Sequence, residues 1–249
     1  MSKVDILGVQ VDVIDTDGLH RAITESVRRG RKDIYAYVNV HAINVARKDD
    51  RFRDFLNRSH VVYCDGEGVR LGAKVLGYSL PPRVVLTYWI WELCALFEKE
   101  KFTVFFLGST EQYVDEAVER VRRRFPNINI VGSHHGYFEK KGIESDAVVD
   151  LVNRVKPNAL IVGFGMPTQE FWIQDNLERL EVNVILPAGS MINYTAGRKG
   201  LAPKWMADHG MEWIYRLFQE PRRLWKRYLI GNPSFLLKTI FQSLRKGNS

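Results

Sequence analysis

Along most of this chain, short apolar runs end on a polar or glycine-rich turn and give way to helical spacing. Residues 34–38 read as a strand ending on Asn39, and residues 61–64 as a buried strand ending on Asp65, then Gly66 and Gly68. Strands are also predicted over 103–107, 128–131, 159–162 and 183–186, with two short β-type runs inside 6–14. Helices are predicted over 42–57, 67–76, 86–97, 111–124, 143–155 and 170–180, and one capped by Thr16 or Asp17 runs through Val27. Strands separated by helices of this length predict an α/β fold, with Rossmann-like parallel sheets in two halves and right-handed crossovers.

Beyond residue 197 the pattern changes. At 100° per residue, 212–219 places Trp213, Ile214, Leu217 and Phe218 on one side and Arg216 opposite. Pro221 interrupts that helix. Residues 222–229 then set Leu224, Trp225, Tyr228 and Leu229 against Arg222, Arg223, Lys226 and Arg227, and Ser234 is placed to cap a last short helix. Two parts follow: a core over 1–197 and a basic, aromatic-rich helical appendage over 198–249.

Charge strengthens that division. From Arg198 onward there are eleven Lys/Arg and three Asp/Glu, so the appendage carries +8 and the core −1 of the total +7. Such asymmetry points to a polyanionic partner, an anionic membrane or a nucleic acid. The 45% hydrophobic content is that of a globular protein. Two cysteines make no disulfide framework, no Cys/His spacing suggests zinc, and a reducing cytoplasm fits best. No signal-peptide pattern opens the sequence, and the longest apolar stretch, 84–97, is too short to span a bilayer.

Candidate chemistry collects at the strand ends: Asn39, Asp65, Gly108-Ser109, Gly132 to Tyr137, Gly163 to Gln169, and Gly189-Ser190. In a parallel sheet these meet at one edge, where ligands bind. Glycine turns opening onto helix N-termini suit a diphosphate, so a nucleotide ligand is expected; tight βα turns alone would account for any single glycine equally well. Gly66 and Gly68 after Asp65 suggest close approach by another molecule, while Asp65 is also well placed to cap the helix from Glu67. Gly163-Phe164-Gly165 is a weak dinucleotide fingerprint because Thr168 replaces the third glycine. Asp15-Thr16-Asp17 reads as a cap before a metal-binding D-x-D. The His134-His135 pair reads as ordinary turn hydrogen bonding before metal ligation.

Taken together, Asn39, Asp65-Gly66-x-Gly68, Pro82-Arg83-Val84, Leu107-Gly108, Gly132-x-x-His135-Gly136-Tyr137-Phe138, Gly163-x-Gly165-x-Pro167-x-Gln169-Glu170 and Ala202-Pro203-x-Trp205 resemble the WecG/TagA/CpsF glycosyltransferases. So does Glu212-Trp213-x-x-Arg216-Leu217-x-x-Glu220-Pro221-x-Arg223-x-x-Arg227-Tyr228. The resemblance runs from about residue 4 to about residue 232. It implies a two-part arrangement called GT-E and an inverting, metal-independent transfer from a UDP-sugar to a polyprenyl-diphosphate-linked saccharide. The setting it implies is the cytoplasmic face of a bacterial inner membrane, in surface polysaccharide synthesis.

By that resemblance Asp65 is the general base, with Asn39 and Arg83 beside it. Gly108, Ser109, Gly136, Tyr137, Gly163, Gly165, Gln169 and Glu170 become candidates for the UDP-sugar. Arg83 and the appendage arginines Arg216, Arg222, Arg223 and Arg227 become candidates for offsetting leaving-group charge, and the appendage arginines also for meeting the membrane. No metal, no other cofactor and no nucleic acid are expected, and self-association is left open. Tyr37 stands where many members carry Thr, Val85-Leu86-Thr87-Tyr88 replaces a common glycine-containing continuation, and Asn193 stands where many carry Asp, which leaves donor and acceptor undetermined. A nucleotide-dependent oxidoreductase and a non-enzymatic membrane or nucleic-acid adaptor are the alternatives.

Overall fold

A computed structural model of the chain describes residues 2–203, 205–206 and 209–246. Among them, six parallel strands form one sheet with helices on both faces. A hairpin comes first, β1 (Lys3–Ile6) and β2 (Val9–Asp12), closed by Leu7 and Gly8, both at positive φ as a two-residue hairpin turn requires. Then follow α1 (Thr16–Arg28), β3 (Asp33–Val38), α2 (Val40–Ala46), α3 (Asp50–Arg58), β4 (Val61–Cys64), α4 (Glu67–Val75) and α5 (Leu86–Glu100). The second half comprises β5 (Thr103–Gly108), α6 (Glu111–Arg124), β6 (Asn129–His134), α7 (Ile143–Val155), β7 (Ala159–Gly163), α8 (Thr168–Asn176), β8 (Val184–Pro187) and α9 (Met191–Thr195).

The sheet order is β4-β3-β8-β7-β5-β6, and the expected halves join through β3 and β8. That junction pairs only Asp33 with Val184 and Ile34 with Ile185, near the strand starts. Alternation along the strands feeds two cores. Ala36, Val38, Phe105, Leu107 and Ile185 face the α2, α3 and α7 side, whereas Tyr35, Val104, Phe106 and Leu186 face α1, α5 and α6.

Three local expectations change. Asp15, not Thr16 or Asp17, caps α1, its carboxylate accepting the Gly18 amide at 2.8 Å. The helix expected over 42–57 breaks into α2 and α3, because Asp49 turns out of the helix to cap Phe52 at 3.0 Å. Ser234 caps nothing. After α10 (Glu212–Gln219), Pro221 opens α11 (Pro221–Trp225) at its first turn, where proline's missing N–H costs least. One π turn, Lys226–Ile230, then leads without a break into α12 (Gly231–Lys246). Pro233 accounts for the π turn. It cannot donate to the preceding turn, and a widened turn relieves the clash of its ring with that carbonyl.

The C-terminal helices dock on the core. Phe235 is fully buried in the core cluster around α2 and α4, and the Asn44 amide donates to the Gly231 carbonyl at 2.9 Å. No helix among the described residues is long and apolar enough to cross a membrane.

Candidate active site

The cleft begins where β3 and β4 end. Asp65 continues the β4 ladder with its N–H, donating to the Val38 carbonyl at 2.9 Å, so its side chain emerges at the sheet's carboxyl edge. It does not cap α4. Gly66 is the cap residue, and no side chain bonds the first turn. The carboxylate instead accepts from Asn39 Nδ2 at 3.3 Å, while Asn39 Oδ1 caps α2 by accepting the Ala42 amide at 3.2 Å. Both ends of the Asn39 amide are therefore used.

The two glycines after Asp65 do permit close approach, but by the protein itself. A Cβ on Gly66 would lie 3.0 Å from Asn39 Cβ, and one on Gly68 would lie 2.6 Å from Val40 Cγ2. They bring α4 onto the first turn of α2 and press Asp65 against Asn39.

Arg83 arrives on the segment before α5, where the Val84 N–H donates to the Cys64 carbonyl at 2.8 Å. Its guanidinium pairs with Glu212 of α10 at 2.5 Å and lies 3.8 Å from Glu67. Arg83 is thus the seam between core and appendage. Arg216, one turn along α10, stacks over Tyr194 at 5.3 Å and carries the strongest charge acting on Asp65. Burial raises the Asp65 carboxyl above the usual range; Arg216 and the Asn39 hydrogen bond pull against it, Glu212 adds to it, and Arg83 opposes it. The result is a basic carboxylate kept near a fixed cation.

Two adjoining hollows open here, of about 100 and 390 Å³, sharing Asn39, His41, Asp65, Val85, Arg216 and Arg227. The larger falls within the size range of small-molecule sites, and Tyr37, Gly165, Gly189 and Arg223 complete its wall. Among the described residues, no group of three or more His, Cys, Asp or Glu is placed to hold a metal.

The expected membrane-facing split of residues 222–229 resolves into three faces. Leu224 and Tyr228 are buried, Arg223 and Arg227 turn into the cleft, and Trp225 and Leu229 point outward with Arg222 and Lys226. Arg223 also pairs with Glu220, which Lys199 holds at 3.1 Å.

The donor candidates divide as well. Gly165 lines the larger hollow. Gln169 is fully buried behind it, its Oε1 accepting the Gly165 and Gly189 amides at 3.2 and 2.8 Å. Its Nε2 donates to Glu170 at 2.8 Å, and the second Glu170 oxygen is buried without a hydrogen-bond partner. Burial pushes the Glu170 carboxyl up to about 7, against the Gln169 hydrogen bond.

Gly108, Ser109, Gly136 and Gly163 pack on one another beside the hollows. A Cβ on Gly108 would lie 2.4 Å from the Gly163 carbonyl, and Ser109 Oγ donates to Asn193. Tyr137 is 75% exposed on the next loop. His134 and His135 form a turn on edge strand β6, where His135 Nδ1 accepts the Tyr137 amide at 3.2 Å.

One residue that pattern reasoning passed over is His41, which lines both hollows from the first turn of α2. Burial, then Arg227 and Arg223, lower its imidazole to about 4, so it stays neutral above that pH. Its place two residues after Asn39 was the only available signal.

Comparison with known proteins identifies the family. The sequence model of the glycosyl transferase WecG/TagA/CpsF family matches residues 4–249. Among similar characterised proteins is the N-acetylglucosaminyldiphosphoundecaprenol N-acetyl-beta-D-mannosaminyltransferase of Staphylococcus aureus strain MW2. It is 29% identical over 247 residues, covering 98% of this chain and 94% of that one. The proteins of the same name from strains NCTC 8325 and MRSA252 are 29% and 28% identical over the same shares. That membership sets aside the oxidoreductase and adaptor readings. The match spans core and appendage alike, and with a cleft built from both parts, the chain belongs to the WecG/TagA/CpsF family of glycosyltransferases.

Proposed function

We propose that this enzyme moves a sugar from a UDP-sugar to a polyprenyl-diphosphate-linked saccharide, with inversion and without a metal, at the cytoplasmic membrane face. The observation that carries the reading is the Asp65 carboxylate, released from any capping duty, oriented by Asn39 and set beside Arg216. The names of the Staphylococcus aureus relatives support an N-acetylglucosaminyl-diphosphate-lipid acceptor and an N-acetylmannosaminyl group as the sugar moved.

In this mechanism the acceptor hydroxyl approaches Asp65, which takes its proton as the oxygen attacks the anomeric carbon. A raised carboxyl is a stronger base than a solvated one, and the charge of Arg216 favours its ionised form against burial. The departing UDP gathers negative charge, which Arg216, Arg223 and Arg227 offset by charge-assisted hydrogen bonds. Arg83, already paired with Glu212, holds the appendage in register. The outward Trp225, Leu229 and Arg222 suit a bilayer surface, where a lipid-linked acceptor would be carried.

UDP release from a panel of UDP-sugars with a lipid-linked acceptor, with and without chelator, tests the reading. Turnover unaffected by chelator and abolished in Asp65→Asn, with UDP binding retained, is the expected result. A strict metal requirement, or an active Asp65→Asn enzyme, would overturn it.

A further inference from the structure

A second cavity, about 710 Å³, lies away from the cleft between the β1–β2 turn, the end of α2 and the last turns of α12. Arg47, Lys238 and Arg245 stand around it with Leu7 and Phe241, and among the described residues no acidic one lines it. Asp5 lies behind Gln242, whose amide donates to it at 2.6 Å. Burial, then the neighbouring charges of Arg47 and Lys48, hold the Lys238 ammonium below its ordinary range. Like charges converging on one partly buried spot repel one another unless an anion joins them.

The helix beside that spot is apolar on two sides. At 100° per residue, the fully buried Phe235 and Thr239 face the core. Leu237, Ile240, Phe241 and Leu244 fall on the opposite side and are 44–63% exposed. Lys238 and Arg245, seven residues apart, flank that stripe on the edge toward Arg47. A continuous apolar stripe with a cationic edge is the form of a helix lying in a bilayer interface.

The geometry points to a docking site for an anionic bilayer lipid: its phosphate sits in the cavity between Arg47 and Lys238, with Lys48 adding its charge from beside the cavity, while the α12 stripe enters the headgroup–acyl boundary. Two of these cations belong to the core, so the membrane face extends beyond the basic tail. Arg47 ends α2 and Asn39 caps its other end, so the seven-residue helix puts about 11 Å between the cationic end and the Asp65 partner.

This inference rests on the reading that the acceptor is lipid-borne, and the experiment separates the two. The full-length protein is sedimented with phosphatidylcholine vesicles and with vesicles containing phosphatidylglycerol, as wild type and as Arg47→Gln/Lys48→Gln/Lys238→Gln. Transfer to a short-chain, water-soluble acceptor is measured alongside. Wild type should prefer the anionic vesicles. At about fivefold per charge, the triple variant should bind them about 100-fold more weakly, with turnover on the soluble acceptor unchanged. Phe241→Ser should weaken binding without removing the lipid preference.

A triple variant that binds like wild type, or a wild type indifferent to phosphatidylglycerol, would overturn the site while leaving a membrane-bound acceptor intact. A wild type that binds neither vesicle overturns both. A self-associated protein that Phe241→Ser converts to monomer, without effect on vesicle binding, would give the stripe to a second copy and overturn the lipid.

Discussion

Asn39 and Asp65 share a hydrogen bond that neither can change alone, because the other end of the Asn39 amide is fixed as the cap of α2. Reversing the amide would set an N–H₂ against the Ala42 N–H and an oxygen against a carboxylate. The helix cap therefore decides which Asn39 atom meets Asp65.

Two substitutions separate capping from positioning. Asn39→Asp keeps an acceptor for Ala42 but adds a carboxylate beside Asp65, so the pair titrates jointly and its upper step rises. Thermal stability should change little, while the acidic limb of kcat/KM moves to higher pH. Asn39→Ala loses the cap, at about 1 kcal/mol, and frees Asp65, with a 10- to 100-fold fall in kcat. An acidic limb that stays in place in Asn39→Asp would mean that Asp65 is not the titrating base.

The Arg83–Glu212 pair should behave as one unit. Removing either partner leaves the other charge largely buried and costs about 3 kcal/mol, whereas removing both costs less than the sum. A double-mutant cycle by urea unfolding measures this directly. Additive losses would show that the two residues act separately. Because the pair joins α10 to the segment before α5, Glu212→Ala should also weaken UDP binding by moving Arg216.

Much of this site was legible in the chain before its fold. Strand ends carry position: Asn39 and Asp65 each follow an apolar run, and parallel strands put such residues at one edge. Strand order was not legible, since the paired residues of β3 and β8 stand just over 150 positions apart and periodicity names a face without naming its neighbour. For the same reason Gly66 and Gly68 suggested a ligand where the approaching atoms belong to Asn39 and Val40. Residues 222–229 read as two faces because a helical wheel has no way to separate the protein side from a cleft. Gln169 looked like a pocket residue from its place after a strand, yet both of its polar ends turn inward.

Glu170 makes stability depend on pH. Its folded carboxyl, at about 7, lies above the ordinary glutamate value, so the folded state binds a proton more tightly than the unfolded state. Stability from this group is complete below the unfolded value and is lost as pH rises through the window up to about 7. The full loss is on the order of 3 kcal/mol. Glu170→Gln removes the titration and keeps an acceptor for Gln169. Its melting temperature should exceed that of wild type at pH 8 and match it near pH 4.5. Parallel curves for the two proteins across that range would exclude a buried, titrating Glu170.

Docking of the appendage is open to a size test. A Cβ on Gly72 would lie 2.5 Å from the Phe235 ring and 3.3 Å from Thr239, so α4 offers a bare backbone surface against which α12 lies flat. Gly72→Ala places a methyl inside van der Waals contact, and overpacking of this kind costs about 1–3 kcal/mol. Gly72 lies outside both hollows of the cleft. Activity should nevertheless fall, because lifting α12 carries the π turn and Arg227 away from Asp65. Phe235→Leu in the same chain shortens the ring that the methyl meets and should restore part of both stability and turnover. Phe235→Leu alone should be destabilising, so the two substitutions together are better than their sum. Independent effects on kcat would mean that the appendage arginines reach the cleft without α12 seated on α4.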